Sequence, residues 1–191
     1  MKKFILSVIL CAAATASFAA QKIMTVNVEK IFKAYYKTTQ VENIIKKQAQ
    51  VYQEYLNKKI QQVRDIDKKF RVELDRAQNV TLSSKERSDA AKNAEKFSSE
   101  IRVIRTEMEA YSKEKRKEMA NMTLKKRQEL MREISDCIRK VAEGHAADFV
   151  LDVSGSTSHQ IPAVIYANPS SDISSQVIQI LNKGNTPEKR N

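Results

Sequence analysis

Asn79-Val80-Thr81-Leu82-Ser83-Ser84-Lys85-Glu86 interrupts a long helix-forming stretch that runs from about Asn27 to Glu143, and its reading decides the fold. Ser83 followed three residues later by Glu86 is the capping-box signature of a new helix, so one helix ends here and another begins. Before this turn the residues Tyr52, Leu56, Ile60, Val63, Ile66, Phe70, Leu74 and Ala77 advance by threes and fours. After it, Ala90, Ala94, Phe97, Ile101, Ile104, Met108 and Tyr111 do the same. Each set draws one apolar stripe on a helix, the seam of a coiled coil. Folding the chain about a point near residue 82 sets Leu74 opposite Ala90, Phe70 opposite Ala94, Val63 opposite Ile101, Ile60 opposite Ile104 and Leu56 opposite Met108. The stripes match in register, which predicts an antiparallel hairpin.

Punctuation along the chain agrees. All three glycines (Gly144, Gly155, Gly184) and all three prolines (Pro162, Pro169, Pro187) come after residue 143, so nothing earlier breaks a helix. Arms of about 50 residues reach ~75 Å at ~1.5 Å per residue, too long for an ordinary small domain, so the hairpin is expected to project from a separate body. Parts for that body stand at both ends. Lys22 to Val28 alternates like a short strand, and Asn27 can cap a helix with Glu29 in its first turn. Gly144 is a natural helix stop. Phe149-Val150-Leu151-Asp152-Val153 and Ile161-Pro162-Ala163-Val164-Ile165-Tyr166-Ala167 read as strands, with Pro162 tolerable near a strand start or edge. A final helix from Asp172-Ile173 carries Ile173, Val177, Ile180 and Leu181 on one face. So few strands cannot bury a core alone, and an oligomer is expected.

Met1-Lys2-Lys3, the apolar run from Phe4 to Ala14 and the small residues up to Ala20 read as a secretory signal cleaved after Ala19. The run is too short for a retained membrane helix, and bulky Leu10 before Cys11 argues against a lipoprotein signal. Removing Lys2 and Lys3 lowers the formal net charge from +11 to +9. Cys137 is then the lone thiol, so no intrachain disulfide is possible. The expected division is a signal over 1–19, an N-terminal strand over 20–28, the hairpin over 29–143 with its tip near 79–84, C-terminal strands and helix over 144–183, and a flexible tail over 184–191.

Four stretches in this order resemble the Skp/OmpH family of periplasmic chaperones: Ile23 to Phe32 with Tyr35-Tyr36-Lys37-Thr38; Phe149-Val150-Leu151-Asp152 with Ser154-Gly155; Ile161 to Ala167; and Asp172-Ile173-Ser174 with Val177 and Leu181-Asn182. The resemblance implies a mainly α protein with a small β body, whose strands form a barrel shared by a homotrimer. It also implies a periplasmic, ATP-independent holding chaperone for unfolded outer-membrane β-barrel proteins, with no catalysis and no cofactor. Ile23, Val26, Val28, Phe149, Leu151, Ile161, Val164, Ile165 and Tyr166 are then expected to build the trimeric body.

The residues bear on function through charge. From Lys113 to Arg127, the cations Lys113, Lys115, Arg116, Lys117, Lys125, Lys126 and Arg127 outnumber Glu114 and Glu118, for +5 in fifteen residues. A second basic stretch on the outgoing arm includes Lys58, Lys59, Lys68, Lys69 and Arg71. Singly these are solvated faces of exposed helices; together they attract acidic partners at long range. Client contact is expected to be diffuse and salt-sensitive along these residues. Met108, Met119, Met122, Tyr52, Tyr55 and Tyr111 read either as hairpin core or as adaptable apolar contacts. His145 and His159 lack the neighbours of a metal site, and Cys137 reads as a small buried hydrophobe. A nucleic-acid role lacks a base-reading motif and conflicts with export. A passive coiled-coil spacer or adaptor of the envelope is the alternative; contact with lipopolysaccharide or anionic lipid, proposed for the family, has no marked cluster here.

Overall fold

The computed structural model describes residues 21–185; the expected signal over 1–19 and the end of the expected tail lie outside the described residues. The elements run β1 (Ile23–Val26), α1 (Val28–Ala34), α2 (Tyr36–Gln78), α3 (Ser84–Gly144), β2 (Phe149–Asp152), a 3-10 turn at Pro169–Ser171 and α4 (Ser174–Leu181). Two long packed helices and a two-stranded sheet make a mainly helical protein. The described residues form two compact units: a hairpin over 35–133, and a body made of 21–34 with 134–184.

In the hairpin, the turn forms as its local chemistry demands. Asn79 Oδ1 accepts from the Thr81 amide at 2.9 Å, which turns the chain out of α2. Ser83 and Glu86 then complete the capping box: the Ser83 amide reaches Glu86 Oε2 at 2.9 Å and the Glu86 amide reaches Ser83 Oγ at 3.3 Å. Cross-arm contacts pair residues equidistant from residue 83: Lys59 with Glu107 at 2.8 Å, Asn93 with Glu73 at 3.4 Å, and the rings of Tyr55 and Tyr111 at 4.1 Å. The antiparallel packing is as expected, one residue on from the anticipated fold point.

The seam departs from expectation in its composition. Ala90 and Ala94 are buried, and Val63, Ile66, Phe70, Phe97, Ile101, Ile104 and Met108 are half-buried. Ile60 and Leu74, however, sit on the rim at 37% and 36% exposure. Lys59 and Glu73, one residue earlier, turn inward, with side chains only 22% and 15% exposed. Lys59 can do so because its aliphatic stem packs apolar surface while its ammonium meets Glu107 and lies 5.8 Å from the Tyr55 ring centre.

At the root of the hairpin, Tyr35 leaves the helical region (φ −73°, ψ 123°) and separates α1 from α2, a break absent from the expected first arm, which was to run unbroken from residue 29 to the tip near 79–84. Tyr35 is buried and its hydroxyl donates to Glu133 Oε2; Lys37 Nζ donates to both carboxylate oxygens of Glu133 at 2.9 and 2.8 Å. Burial, then the Glu133 bond, pushes the Tyr35 phenol up to about 12. The Glu133 bond also raises the Lys37 ammonium. Burial pushes the Glu133 carboxyl upward, but the Lys37 and Tyr35 bonds outweigh it and hold the group below its ordinary value.

In the body, β1 and β2 pair in parallel, Ile23 opposite Phe149 through Val26 opposite Asp152. The Ile173 amide bonds the Thr25 carbonyl at 3.0 Å on the other side of β1, so β1 is central. Met24, Val26, Ile31, Ile134, Cys137, Val141, Ile173 and Val177 form the core. Side-chain oxygens take up first-turn amides at the helix starts. Asn27 Oδ1 accepts from Lys30 at 2.7 Å, and Asp152 Oδ1 accepts from Val28 at 3.1 Å. At α4, Asp172 Oδ1 accepts the Ser174 amide at 2.8 Å.

Two body expectations are corrected. α3 does end at Gly144, but the left-handed residue is Ala146 (φ 51°). Ala147 bonds back to Ala142 and Ala146 to Glu143, both at 3.0 Å, which is the Schellman pattern with alanine where glycine is usual. Ile161–Ala167 is not a strand: only an isolated bridge joins Pro162 to Ser156. A strand needs a neighbour along its length to take its amides and carbonyls, and among the described residues only two such backbone bonds form here: the Thr157 amide donates to the Ile161 carbonyl and the Ala163 amide to the Gly155 carbonyl, both at 2.8 Å.

Candidate functional site

The basic residues divide by how much of their charge is already matched. Lys59 pairs with Glu107, Lys68 with Asp65 at 3.6 Å, Arg71 with Asp67 at 2.9 Å, Lys115 with Glu118 at 2.5 Å, and Lys126 with Glu129 at 2.8 Å. Lys58, Lys69, Lys113, Arg116, Lys117 and Lys125 are exposed and make no ion pair among the described residues. Arg127 is exposed. Apart from Lys59, which turns inward, these cations sit in solvent-screened surface pairs that hold little stability, so they remain available to an acidic partner at small cost.

Some of the unmatched charge converges. Arg105, Met108, Glu109, Ser112, Lys113 and Arg116 follow the i, i+3, i+4, i+7, i+8, i+11 spacing of one helix face. With Leu56 from α2 they line an open groove of about 580 Å³. Leu56 and Met108 give it an apolar floor, and Arg105, Lys113 and Arg116 give it three cations against the single carboxylate of Glu109. The spacing on α3 was visible in the sequence, but the partnership with Leu56 exists only once the arms are paired.

Tyr52, Tyr55 and Tyr111 cluster in the seam, with ring centres 5.8 and 4.1 Å from Tyr52 and Tyr55 to Tyr111. They are half-buried, as are Met108, Met119 and Met122. Apolar side chains with the greatest exposure on the arms are Val51, Val72, Val80, Val103 and Leu124.

The body carries a second kind of surface. Of the residues expected to build a shared barrel, Ile23, Phe149, Leu151 and Ile161 are about half exposed, and Ile165 and Tyr166 are 87% and 82% exposed. Val28 and Val164 are half-buried. Val26, at 2% exposure, is buried in the chain's own core. With Val28 and Phe149 it also lines a groove of about 420 Å³ in the body.

Among the described residues no group of three His, Cys, Asp or Glu side chains is placed to hold a metal ion. His145 Nε2 is bonded to Gln176 Oε1 at 2.7 Å. Burial in the body core pushes the Cys137 thiol above its ordinary value. No helix among the described residues is long and apolar enough to cross a membrane.

No curated protein matches the chain significantly in sequence. Among solved structures, an OmpH-like candidate outer membrane chaperone from Caulobacter crescentus superposes with a TM-score of 0.68 at 15% identity, over 93% of this chain and 94% of that one. That likeness shows the fold. The family model for outer membrane protein (OmpH-like) matches residues 22–181, from the start of β1 to the end of α4, and the chain therefore belongs to the OmpH-like family.

Proposed function

We propose that this protein is a periplasmic holding chaperone that keeps unfolded outer-membrane β-barrel proteins from aggregating, without ATP and without catalysis. The observation that carries the reading is the hairpin surface. It pairs unneutralised cations with scattered exposed apolar side chains along both arms, and the groove at Leu56 and Met108 is open rather than enclosed. Such a surface holds many partners through many weak contacts and specifies none, which suits a client that has no fold of its own. Family membership over residues 22–181 supports the same reading.

The proposal extends to assembly and export. Residues 1–19 act as the signal, and 184–191 form a tail after the body. Ile23, Phe149, Leu151, Ile161, Ile165 and Tyr166 leave more apolar surface on the body than a small monomeric unit keeps in water, and a homotrimeric barrel would cover it.

Light scattering from a urea-denatured outer-membrane β-barrel protein, diluted into buffer with increasing amounts of the purified chain, tests the proposal. Suppression saturating near one client per three chains is expected. Aggregation unchanged at every ratio would refute it and leave a passive envelope spacer.

A further inference from the structure

We propose that the groove between Leu56 and the Arg105–Arg116 face of α3 is a discrete anchoring site for extended peptide segments in which acidic residues flank an apolar one at alternate positions. The proposal rests on the holding-chaperone reading and names the segment chemistry that one part of the surface prefers.

The geometry is a matter of spacing. Arg105 and Arg116 stand at opposite ends of the groove, eleven residues apart on one helix and so ~16 Å apart along its axis. An extended chain advances ~3.3 Å per residue and turns alternate side chains to one face, so residues i, i+2 and i+4 span ~13 Å. Flexible arginine side chains close the difference. A carboxylate at i then meets Arg105, an apolar side chain at i+2 meets the Met108 and Leu56 floor, and a carboxylate at i+4 meets Arg116 and Lys113. None of these three cations is in an ion pair with the chain's own carboxylates among the described residues, so the charge complementarity is unspent.

Glu109 and Ser112 decide between a peptide and a lipid. A bed for a polyanionic headgroup gains nothing from a carboxylate at its centre, whereas a peptide backbone offers amides to Glu109 and both amides and carbonyls to Ser112. Two apolar floor residues also suit one side chain better than an acyl chain.

The probe is a fluorescein-labelled Asp-Thr-Leu-Thr-Asp peptide with blocked ends, titrated with the full protein at low salt and followed by anisotropy. Its comparison is the scrambled Asp-Asp-Thr-Thr-Leu. The expected results are about tenfold tighter binding of the alternating peptide, and about tenfold loss of that binding in Arg105→Gln/Arg116→Gln, which removes two exposed cations and leaves the seam intact. Equal affinity for both peptides, or no change in the double variant, would overturn the site. So would a variant that loses cosedimentation with phosphatidylglycerol vesicles while still binding peptide, since the groove would then serve lipid. Aggregation suppression measured on the same preparations separates the two levels: a wild type that holds clients but ignores the pattern loses only the groove, and one that reads the pattern but holds no client loses only the chaperone reading.

Discussion

The Tyr35–Lys37–Glu133 cluster makes an unusual ordering of stabilities. Tyr35→Phe removes a hydrogen bond to a charged acceptor, but Glu133 keeps both contacts to Lys37, so no buried group is orphaned and the cost is the low end for such bonds, about 1.5 kcal/mol. Glu133→Leu removes the same bond and leaves the buried Tyr35 hydroxyl without its acceptor, adding a desolvation penalty for a total of about 3 kcal/mol. Lys37 can turn to water because its side chain is 39% exposed, so it adds little. The double variant Tyr35→Phe/Glu133→Leu has no orphan, and it should therefore be more stable than Glu133→Leu alone by about 1 kcal/mol. Urea unfolding followed by far-ultraviolet circular dichroism, at one fixed chain concentration, reads all four proteins. A double variant less stable than either single one would refute the reasoning. The pH dependence checks it again. Tyr35 has its folded value raised from 10.0 to about 12, so its contribution is complete below pH 10 and is lost as pH rises through about 12. Glu133 has its folded value held below 4.5, so its contribution is present above that pH and lost as pH falls through the folded value. The difference between wild type and Tyr35→Phe should therefore be flat between these limits and shrink at both ends.

Ala146→Gly should stabilise the body by about 1 kcal/mol, because Ala146 bears the left-handed penalty that glycine escapes, and differential scanning calorimetry should show a higher Tm. Ser83→Ala should cost the hairpin about 1 kcal/mol in urea titrations by deleting the tip cap, and it should raise the Glu86 carboxyl, which the Ser83 bonds now hold down. If the proposed trimer forms, Ile165→Asp should give a monomer in sedimentation velocity with unchanged circular dichroism, since Ile165 is 87% exposed within its own chain; a trimeric variant would remove this residue from the proposed interface. Reversing Lys115, Arg116 and Lys117 to Glu should weaken client binding severalfold at low salt and far less at high salt, a difference that vanishes if charge plays no part.

What the sequence revealed was local. The tip was legible because Ser83 and Glu86 satisfy each other's backbone within one turn, whatever the rest of the chain does. The α1–α2 break was not, because the group that Tyr35 meets there, Glu133, is 98 residues away in sequence. Counting apolar residues chose Ile60 and Leu74 for the seam; pairing the arms placed Lys59 and Glu73 there instead, since Glu107 and Asn93 were opposite. Ile161–Ala167 has the composition of a strand, yet composition supplies no neighbour. Among the candidate binding residues the excess of cations was plain in the sequence, while their division into paired and unmatched ones, and the meeting of Leu56 with the Arg105–Arg116 face, depended on the fold.

The mixed seam also bears on how the surface works. Putting Lys59 and Glu73 inward moves Ile60 and Leu74 to the rim, so the hairpin gives up some apolar burial, worth ~25 cal/mol per Å², and gains apolar contact area facing water. Val51, Val72, Val103 and Leu124 add to it but are separated by long charged stretches. Each such contact alone is too weak to hold a chain. Several made at once by one long unfolded client reinforce each other through effective concentration, while any one can break and re-form. On the proposed holding-chaperone reading, a surface built this way would hold a client firmly in total and loosely at every point, and a single better-formed groove such as that at Leu56 and Met108 would bias where the chain settles without preventing the rest from exchanging.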